Sequence, residues 1–123
     1  MTRNKEMQRI VVTKGYLGLA TAPISNYDTL ATITEEDDAG YSRQVITFGM
    51  LVENGSLQGF VNSAEIVFGL WKEDSCDLIT DCFISDAPSG TKGRLITAMK
   101  LDVPKQPSAN GKMVFAVGAL ILT

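Results

Sequence analysis

The sequence predicts an all-β protein, an antiparallel β-sandwich. Residues typical of turns recur at short intervals, and the runs between them have the length and the period-two polarity of β-strands. About eight such runs follow one another at the regular spacing that is typical of sandwiches and barrels. The turn segments are Pro23–Asp28, Glu35–Gly40, Glu53–Gly55, Lys72–Ser75, Asp86–Gly93 and Pro104–Gly111.

The first strand candidates are Gln8–Thr13 and Tyr16–Thr21, which form an expected pair joined at Lys14 and Gly15. Residues 41–48 follow as an extended segment with two distinct faces. One face carries Ser42, Gln44, Ile46 and Phe48, and the other carries Tyr41, Arg43, Val45 and Thr47. A cleaner alternation begins at Asn62. There, Ala64, Ile66 and Phe68 would share an apolar face, with Ser63 and Glu65 opposite.

The remaining strand candidates lie in the last third of the chain. They are Leu78–Ile84, Arg94–Leu101, Met113–Val117 and Ala119–Leu122. The first is rich in β-branched and aromatic residues, and the second alternates over its whole length. Gly118 separates the last two and predicts a bulge or a close backbone approach.

Segment Asp28–Asp38 leaves two interpretations open. Leu30, Ile33 and the acidic residues have helical spacing, but three threonines lower the helix propensity. The alternation over residues 30–34 suits an extended segment at least as well.

The chain of 123 residues and 13.3 kDa has the size of one domain. We expect a single sandwich over residues 1–123, with a short polar N-terminal arm of about residues 1–9. A domain of this size buries roughly two-thirds of its unfolded surface, so it can fold without metals or disulfides. The opening residues have no signal-peptide pattern, which indicates synthesis in a cytoplasm.

Composition argues against several classes of function. A net charge of −3 and a pI near 4.8 disfavour nucleic acid and anionic membranes as partners. The chain has no histidine, which removes the common catalytic triads and His-ligated metals. Cys76 and Cys82 have neither zinc-site nor redox spacing. A disulfide between them is the alternative, but it would close only a short loop in a reducing compartment, so we expect two buried or half-buried thiols. The prediction is a protein that is not an enzyme and has no metal or cofactor.

Three local features each allow a structural and a functional interpretation. The acidic run Glu35–Asp38 is interpreted as a solvated turn, with contact to Lys or Arg of a neighbouring subunit as the alternative. The Ser89–Gly93 stretch is interpreted as a flexible hairpin tip, with a partner-binding loop as the alternative. Trp71 is interpreted as a core residue, with an interface anchor as the alternative.

Four segments of the chain resemble a family of small tailed-bacteriophage virion proteins, of the tail-fibre or minor structural type. They are Tyr16–Ala20, Gly40–Phe48, Asn62–Phe68 and Val117–Leu120. The second resembles a "GYxRxxxTF" strand of that family, the third an "NxxxIxF" strand, and the fourth a closing "AGAL" strand. The resemblance implies a β-sandwich, with jelly-roll topology as one form, that serves as an assembly module in the virion.

Our leading functional hypothesis from this resemblance is a capsid cement or decoration protein. It would form a homotrimer and bridge subunits of the major capsid protein. The alternative is a tail-fibre or host-recognition binding module. The interface candidates are Arg3, Lys5, Arg9, Trp71, Lys92 and Arg94.

Overall fold

The computed structural model describes residues 15–75 and 77–122. Every regular secondary-structure element in these ranges is a β-strand. They are β1 (Gly15–Ala20), β2 (Gln44–Ile46), β3 (Phe48–Glu53), β4 (Ser56–Asn62), β5 (Ile66–Gly69), β6 (Ile79–Ser85), β7 (Leu95–Lys105), β8 (Lys112–Phe115) and β9 (Ile121–Leu122). Every pairing between them is antiparallel. The predicted all-β antiparallel fold is confirmed.

The strands form three sheets. A four-stranded sheet has the order β2-β1-β6-β7, a three-stranded sheet the order β3-β4-β9, and a two-stranded sheet pairs β5 with β8. Within the described residues, β7, β8 and β9 each lie at the edge of their own sheet. These three edge strands border a surface groove.

The main hydrophobic core joins the four-stranded sheet to the β5–β8 sheet. Leu17 and Leu19 of β1 belong to the same buried cluster as Phe68 of β5 and Phe115 of β8. The Phe68 and Phe115 rings meet edge to face, with centroids 6.0 Å apart. Layers of strands packed over one core make the fold sandwich-like, as predicted. Jelly-roll topology stays a prediction.

The opposite face of the four-stranded sheet is buried as well. Ala20 and Phe83 form a second cluster there with Leu30 from the long β1–β2 connection. Gly18 lies under the Phe83 ring, and a Cβ at position 18 would overlap that ring. Burial on both faces explains why β6 is almost continuously buried instead of alternating.

Residues 28–38 form neither a helix nor one of the nine strands, so both interpretations of this segment were wrong. The Asp28 carboxylate accepts hydrogen bonds from the Ser25 amide (2.7 Å) and the Thr32 hydroxyl (2.8 Å). Such local side-chain bonds compete with regular structure. Only Glu35 adds a sheet-like contact, an isolated antiparallel bridge to Ala20.

The predicted strand over residues 41–48 is shorter in the structure, where β2 begins at Gln44. Ile46 is buried and Val45 is exposed, as the alternation predicts. Before β2 the predicted alternation is wrong: Arg43, expected on the same face as exposed Val45, is buried, and Ser42, expected on the same face as buried Ile46, is exposed. The reason is a specific polar site that receives the Arg43 side chain.

The β3–β4 hairpin was not predicted as a pair of strands. Its turn is formed by Asn54 and Gly55, both with positive φ (51° and 77°), which matches the twist of flanking strands. The candidate beginning at Asn62 is divided between the end of β4 and β5. Ala64 lies in the intervening bend and is exposed, contrary to its expected apolar face.

The later strands largely follow prediction. Observed β6 and β7 correspond to the candidates Leu78–Ile84 and Arg94–Leu101, and β7 continues to Lys105. Gly118 adopts φ 80° in a turn ahead of β9. Gln8–Thr13 and the N-terminal arm lie outside the described residues. In the part of the chain that the structure describes, no helix has the length and apolarity to cross a bilayer.

Candidate interaction surfaces

A buried arginine ties the acidic turn to the β6–β7 loop. Nε and Nη2 of Arg43 donate to the two carboxylate oxygens of Glu35 at 2.9 and 2.8 Å, a bidentate ion pair. Nη1 donates to the Ala87 carbonyl (3.0 Å) and the Ser85 hydroxyl (3.3 Å). Nη2 also donates to the Gly90 carbonyl (2.9 Å). Arg43 thereby anchors a loop that the sequence predicts to be a flexible tip.

Tyr41 extends this polar cluster into the core. Its hydroxyl donates to Glu35 (2.6 Å) and accepts the Leu19 amide (2.9 Å). Burial and the hydrogen bond to Glu35 raise the pKa of Tyr41 above its usual 10.0. The Arg43 guanidinium also lies 5.2 Å from the centroid of the Phe83 ring. The cluster is a structural device, since its polar groups are engaged with one another.

Glu36 makes the next connection, from the acidic turn to the Trp71 segment. It is buried, and one oxygen accepts the Trp71 indole N–H and the Ser75 hydroxyl, both at 3.4 Å. Its other oxygen accepts the amides of Asp37 and Asp38. Pairing of this kind is what a buried carboxylate requires.

Asp38 completes the organisation of the acidic turn. Its carboxylate accepts amide hydrogen bonds from Lys72 (2.8 Å), Gly40 (2.7 Å) and Glu73 (3.2 Å). These bonds, with that from Lys72 the strongest influence, lower the pKa of Asp38. The interpretation of Glu35–Asp38 as a merely solvated turn was therefore wrong, because three of its four side chains hold other segments in place.

An acidic cleft opens beside this turn, with a volume of about 360 Å³. Its lining residues are Thr21, Thr34, Glu35, Glu36, Asp37, Asp38, Ala39, Lys72, Glu73, Asp74, Ser75 and Asp77. Two exposed leucines lie close to the lining residues along the chain or through the backbone: Leu78 follows Asp77, and the Leu70 carbonyl lies against Gly40. Among the described residues, no group of three potential ligands is arranged to hold a metal ion.

A larger groove, of about 810 Å³, lies where the edges β7, β8 and β9 approach one another. Its lining residues are Cys82, Met99, Lys100, Leu101, Asp102, Val103, Lys105, Lys112, Met113, Val114, Phe115, Ala119, Leu120 and Ile121. The floor is continuous with the main core through Met113, Phe115 and Leu120. The lining is therefore mostly apolar, with three lysines and one aspartate.

Cys82 lies at the base of this groove as a buried free thiol. Burial, reinforced by the neighbouring charge of Asp81, raises the pKa of Cys82 to about 12. A thiol with so high a pKa is protonated at neutral pH and is a poor nucleophile. This is the buried thiol expected from the sequence, whereas Cys76 lies outside the described residues.

The structure separates the predicted interface candidates into three groups. Trp71 is fully buried (0% exposed), so it is a core residue and its side chain is not on the surface of this chain. Lys92 and Arg94 are exposed at the β6–β7 loop. Arg3, Lys5 and Arg9 lie outside the described residues.

Sequence reasoning did not find the groove. Val114 and Ile121 are substantially exposed, yet each belongs to an apolar run whose pattern is typical of core, and exposed Val103 lies beyond the predicted end of the Arg94–Leu101 candidate. Period-two patterning identifies a strand but does not say whether another layer covers its apolar face. The three lysines between residues 100 and 112 were the only available sign of a charged rim.

Comparison with known proteins identifies the family of this chain. Residues 4–123 match the family model described as podophage GP4 fiber I protein gp80. No curated protein matches the sequence significantly. The match covers nearly the entire chain, and it agrees with the phage structural resemblance noted in the sequence. The chain belongs to the podophage GP4 fiber I protein gp80 family and is a phage fibre or structural protein, a component of the virion.

Proposed function

We propose that this chain is an assembly module of a podophage fibre, which works by protein–protein contact and not by catalysis. The family match over residues 4–123 is the observation that carries the proposal. A fibre or host-recognition module was the alternative in the sequence analysis, and the family's description favours it over capsid cement.

The local chemistry supports a role without catalysis. The sequence contains no histidine, and the carboxylates of half-buried Glu35 and buried Glu36 are paired with Arg43, Trp71 and backbone groups. Cys82 is buried and protonated. A general base or nucleophile must reach substrate in a suitable ionisation state, which these groups do not offer.

The proposed mechanism is mechanical. Burial of apolar and polar surface between subunits contributes association free energy, and a homotrimer multiplies weak contacts through effective concentration. Its partners in this proposal are further copies of the chain and neighbouring virion proteins, with assembly in the host cytoplasm. Neither cofactor, nucleic acid nor membrane takes part.

Imaging of intact particles tests this function. Cryo-electron microscopy would compare wild-type particles with particles that lack this chain, and re-addition of the purified protein would serve as the control. We expect the missing density to lie in a fibre. Density over the capsid lattice, in contact with the major capsid protein, would instead establish the cement role, and no density difference would contradict both.

A further inference from the structure

We infer that the groove between β7, β8 and β9 of one copy receives the exposed carboxylates around the acidic cleft of a second copy of this chain. The inference rests on the proposed function, because it supplies a self-association contact for the assembly module. It concerns two different surfaces of the same molecule, one mostly apolar with a basic rim and one acidic.

The groove has the surface character of an interface. Val103 is 62% exposed, Ile121 49% and Val114 44%, and all three line one continuous depression. Its floor includes Phe115 and Leu120, which are buried members of the main core. Contiguous exposed apolar surface that is rimmed by polar groups is typical of protein–protein contact sites.

The charge on the groove rim is predominantly positive. Lys100, Lys105 and Lys112 line it against one acidic residue, Asp102. All three lysines are exposed. A partner that fits this groove therefore presents carboxylates to these lysines.

The acidic cleft on the same chain has the complementary charge. Seven carboxylate residues line it against one lysine: Glu35, Glu36, Asp37, Asp38, Glu73, Asp74 and Asp77, against Lys72. Glu35 and Glu36 are engaged internally, whereas Asp37, Glu73 and Asp77 are exposed. Leu70 and Leu78, each about half exposed, lie close to these residues along the chain.

The two surfaces are held at a fixed spacing by the β7–β8 connection. Pro107 accepts the Ser75 amide, Gln106 donates to the Ser75 carbonyl, and the Ala109 amide donates to Asp74, each at 2.9 Å. Ser75 and Asp74 line the cleft, while this connection joins two strands of the groove. Rigid spacing fixes the rotation between successive copies.

A contact between two different surfaces is head-to-tail. It generates a closed ring when the rotation returns to the first copy, and an open filament when it does not. A ring of three copies would be the homotrimer of the proposed function. Complementary charge also steers the encounter, so the association weakens as salt concentration rises.

Charge-reversal exchange in the full-length chain tests the inference. The groove variant is Lys100→Glu with Lys112→Glu, and the cleft variant is Asp37→Lys with Asp77→Lys. Analytical ultracentrifugation would measure self-association of each variant alone and of the two mixed. We expect each alone to associate at least about tenfold more weakly than wild type and the mixture to recover association, because opposite charges again face each other.

Glu53→Lys with Glu65→Lys is the matched control for the cleft variant, since it makes the same charge change at exposed positions that line neither surface. It should associate like wild type. A wild-type monomer at all concentrations, or unaltered association of the groove and cleft variants, would overturn the inference. So would loss of association on deletion of residues 1–14 with no effect of charge reversal, which would make the N-terminal segment the contact. Fibre location in particles is a separate measurement, so the two proposals fail independently.

Discussion

Arg43 shows how much of this fold depends on single buried polar side chains. Its guanidinium joins the acidic turn, the end of β6 and the β6–β7 loop, segments that lie 8 to 47 residues away along the chain. The guanidinium N–H groups all donate to acceptors, and these hydrogen bonds offset the cost of removing the positive charge from water. Such a group stabilises one specific arrangement and destabilises the protein strongly when one partner is lost.

Replacement of Arg43 by alanine should lower the free energy of unfolding by about 3 kcal/mol, because Glu35 loses its cationic partner and the Ala87 and Gly90 carbonyls lose a charged donor. The lower end of the usual range applies, since the Glu35 side chain keeps 26% of its exposure. Urea denaturation measures the loss. Exposed Arg94→Ala is the control, and an equal effect of both variants would contradict this role of Arg43.

Asn62 is a second residue of this kind. It is fully buried, and its amide donates to the carbonyls of Ala64 (3.1 Å) and Ala116 (2.8 Å). Its side-chain oxygen accepts the Leu120 amide at 2.9 Å. One side chain thus holds the end of β4 to the turn ahead of β9.

Asn62→Asp should destabilise the protein by about 3 kcal/mol or more, since a carboxylate would face two carbonyl oxygens without a donor. Thermal unfolding monitored by circular dichroism provides the measurement. Gln58→Glu makes the same charge change at an exposed position of β4 and should have little effect. Wild-type stability of the Asn62 variant would refute its proposed structural role.

At the scale of elements, the β3–β4 hairpin shows a strong local signal. The Asn54–Gly55 dipeptide sits between two runs of apolar residues and adopts positive φ at both positions. Asn and Gly tolerate this left-handed backbone better than other residues do. The turn therefore fixes the hairpin register through backbone conformation and not through tertiary contact.

Gly55→Ala should lower stability by about 1 kcal/mol, because φ 77° strains a residue with a Cβ. No atom lies within 4 Å of the added Cβ, so the loss reports the backbone alone. Chemical denaturation of the variant gives its magnitude. Gly55→Asn should lose less, and an alanine variant as stable as wild type would show that the turn is not a determinant.

At the scale of the whole molecule, several shifted ionisation equilibria favour the folded state in one range of pH. Backbone hydrogen bonds lower the pKa of Asp28 and Asp38 below 3.8. Burial raises the pKa of Cys82 from 9.0 to about 12 and that of Tyr41 above 10.0. The lowered pKa values of Asp28 and Asp38 stabilise the folded state at pH values above the pKa that these groups have in the unfolded chain. The raised pKa values of Cys82 and Tyr41 stabilise it at pH values below the pKa that these groups have in the unfolded chain.

We therefore expect maximal thermal stability between about pH 4 and pH 9. Below this range, Asp28 and Asp38 bind protons more readily in the unfolded chain than in the folded protein, which favours unfolding. Above it, Cys82 and Tyr41 keep their protons in the folded protein but release them in the unfolded chain, which also favours unfolding. Calorimetry across pH measures both limbs. Cys82→Ala should reduce the loss of thermal stability between pH 9 and pH 12. If the loss over this range is the same as in the wild type, the Cys82 thiol does not cause it.

The amino-acid sequence by itself determined the all-β class, the strands β1, β6 and β7 and the resemblance to phage structural proteins. These follow from local information, because alternation and turn residues act within a few positions of the chain. The same local information contained the Asn54–Gly55 turn, whereas the pairing of the runs on either side of it is a property of the tertiary structure.

Only the tertiary structure decided how residues 28–43 are used, where the buried polar groups find partners and which apolar strand faces stay uncovered. Arg43 meets Gly90 across 47 positions, and Asn62 meets Leu120 across 58. The groove likewise exists because three separate sheet edges converge. Pairing and layering of strands are long-range events, so residue patterns specify which segments are extended but not which partner covers each face.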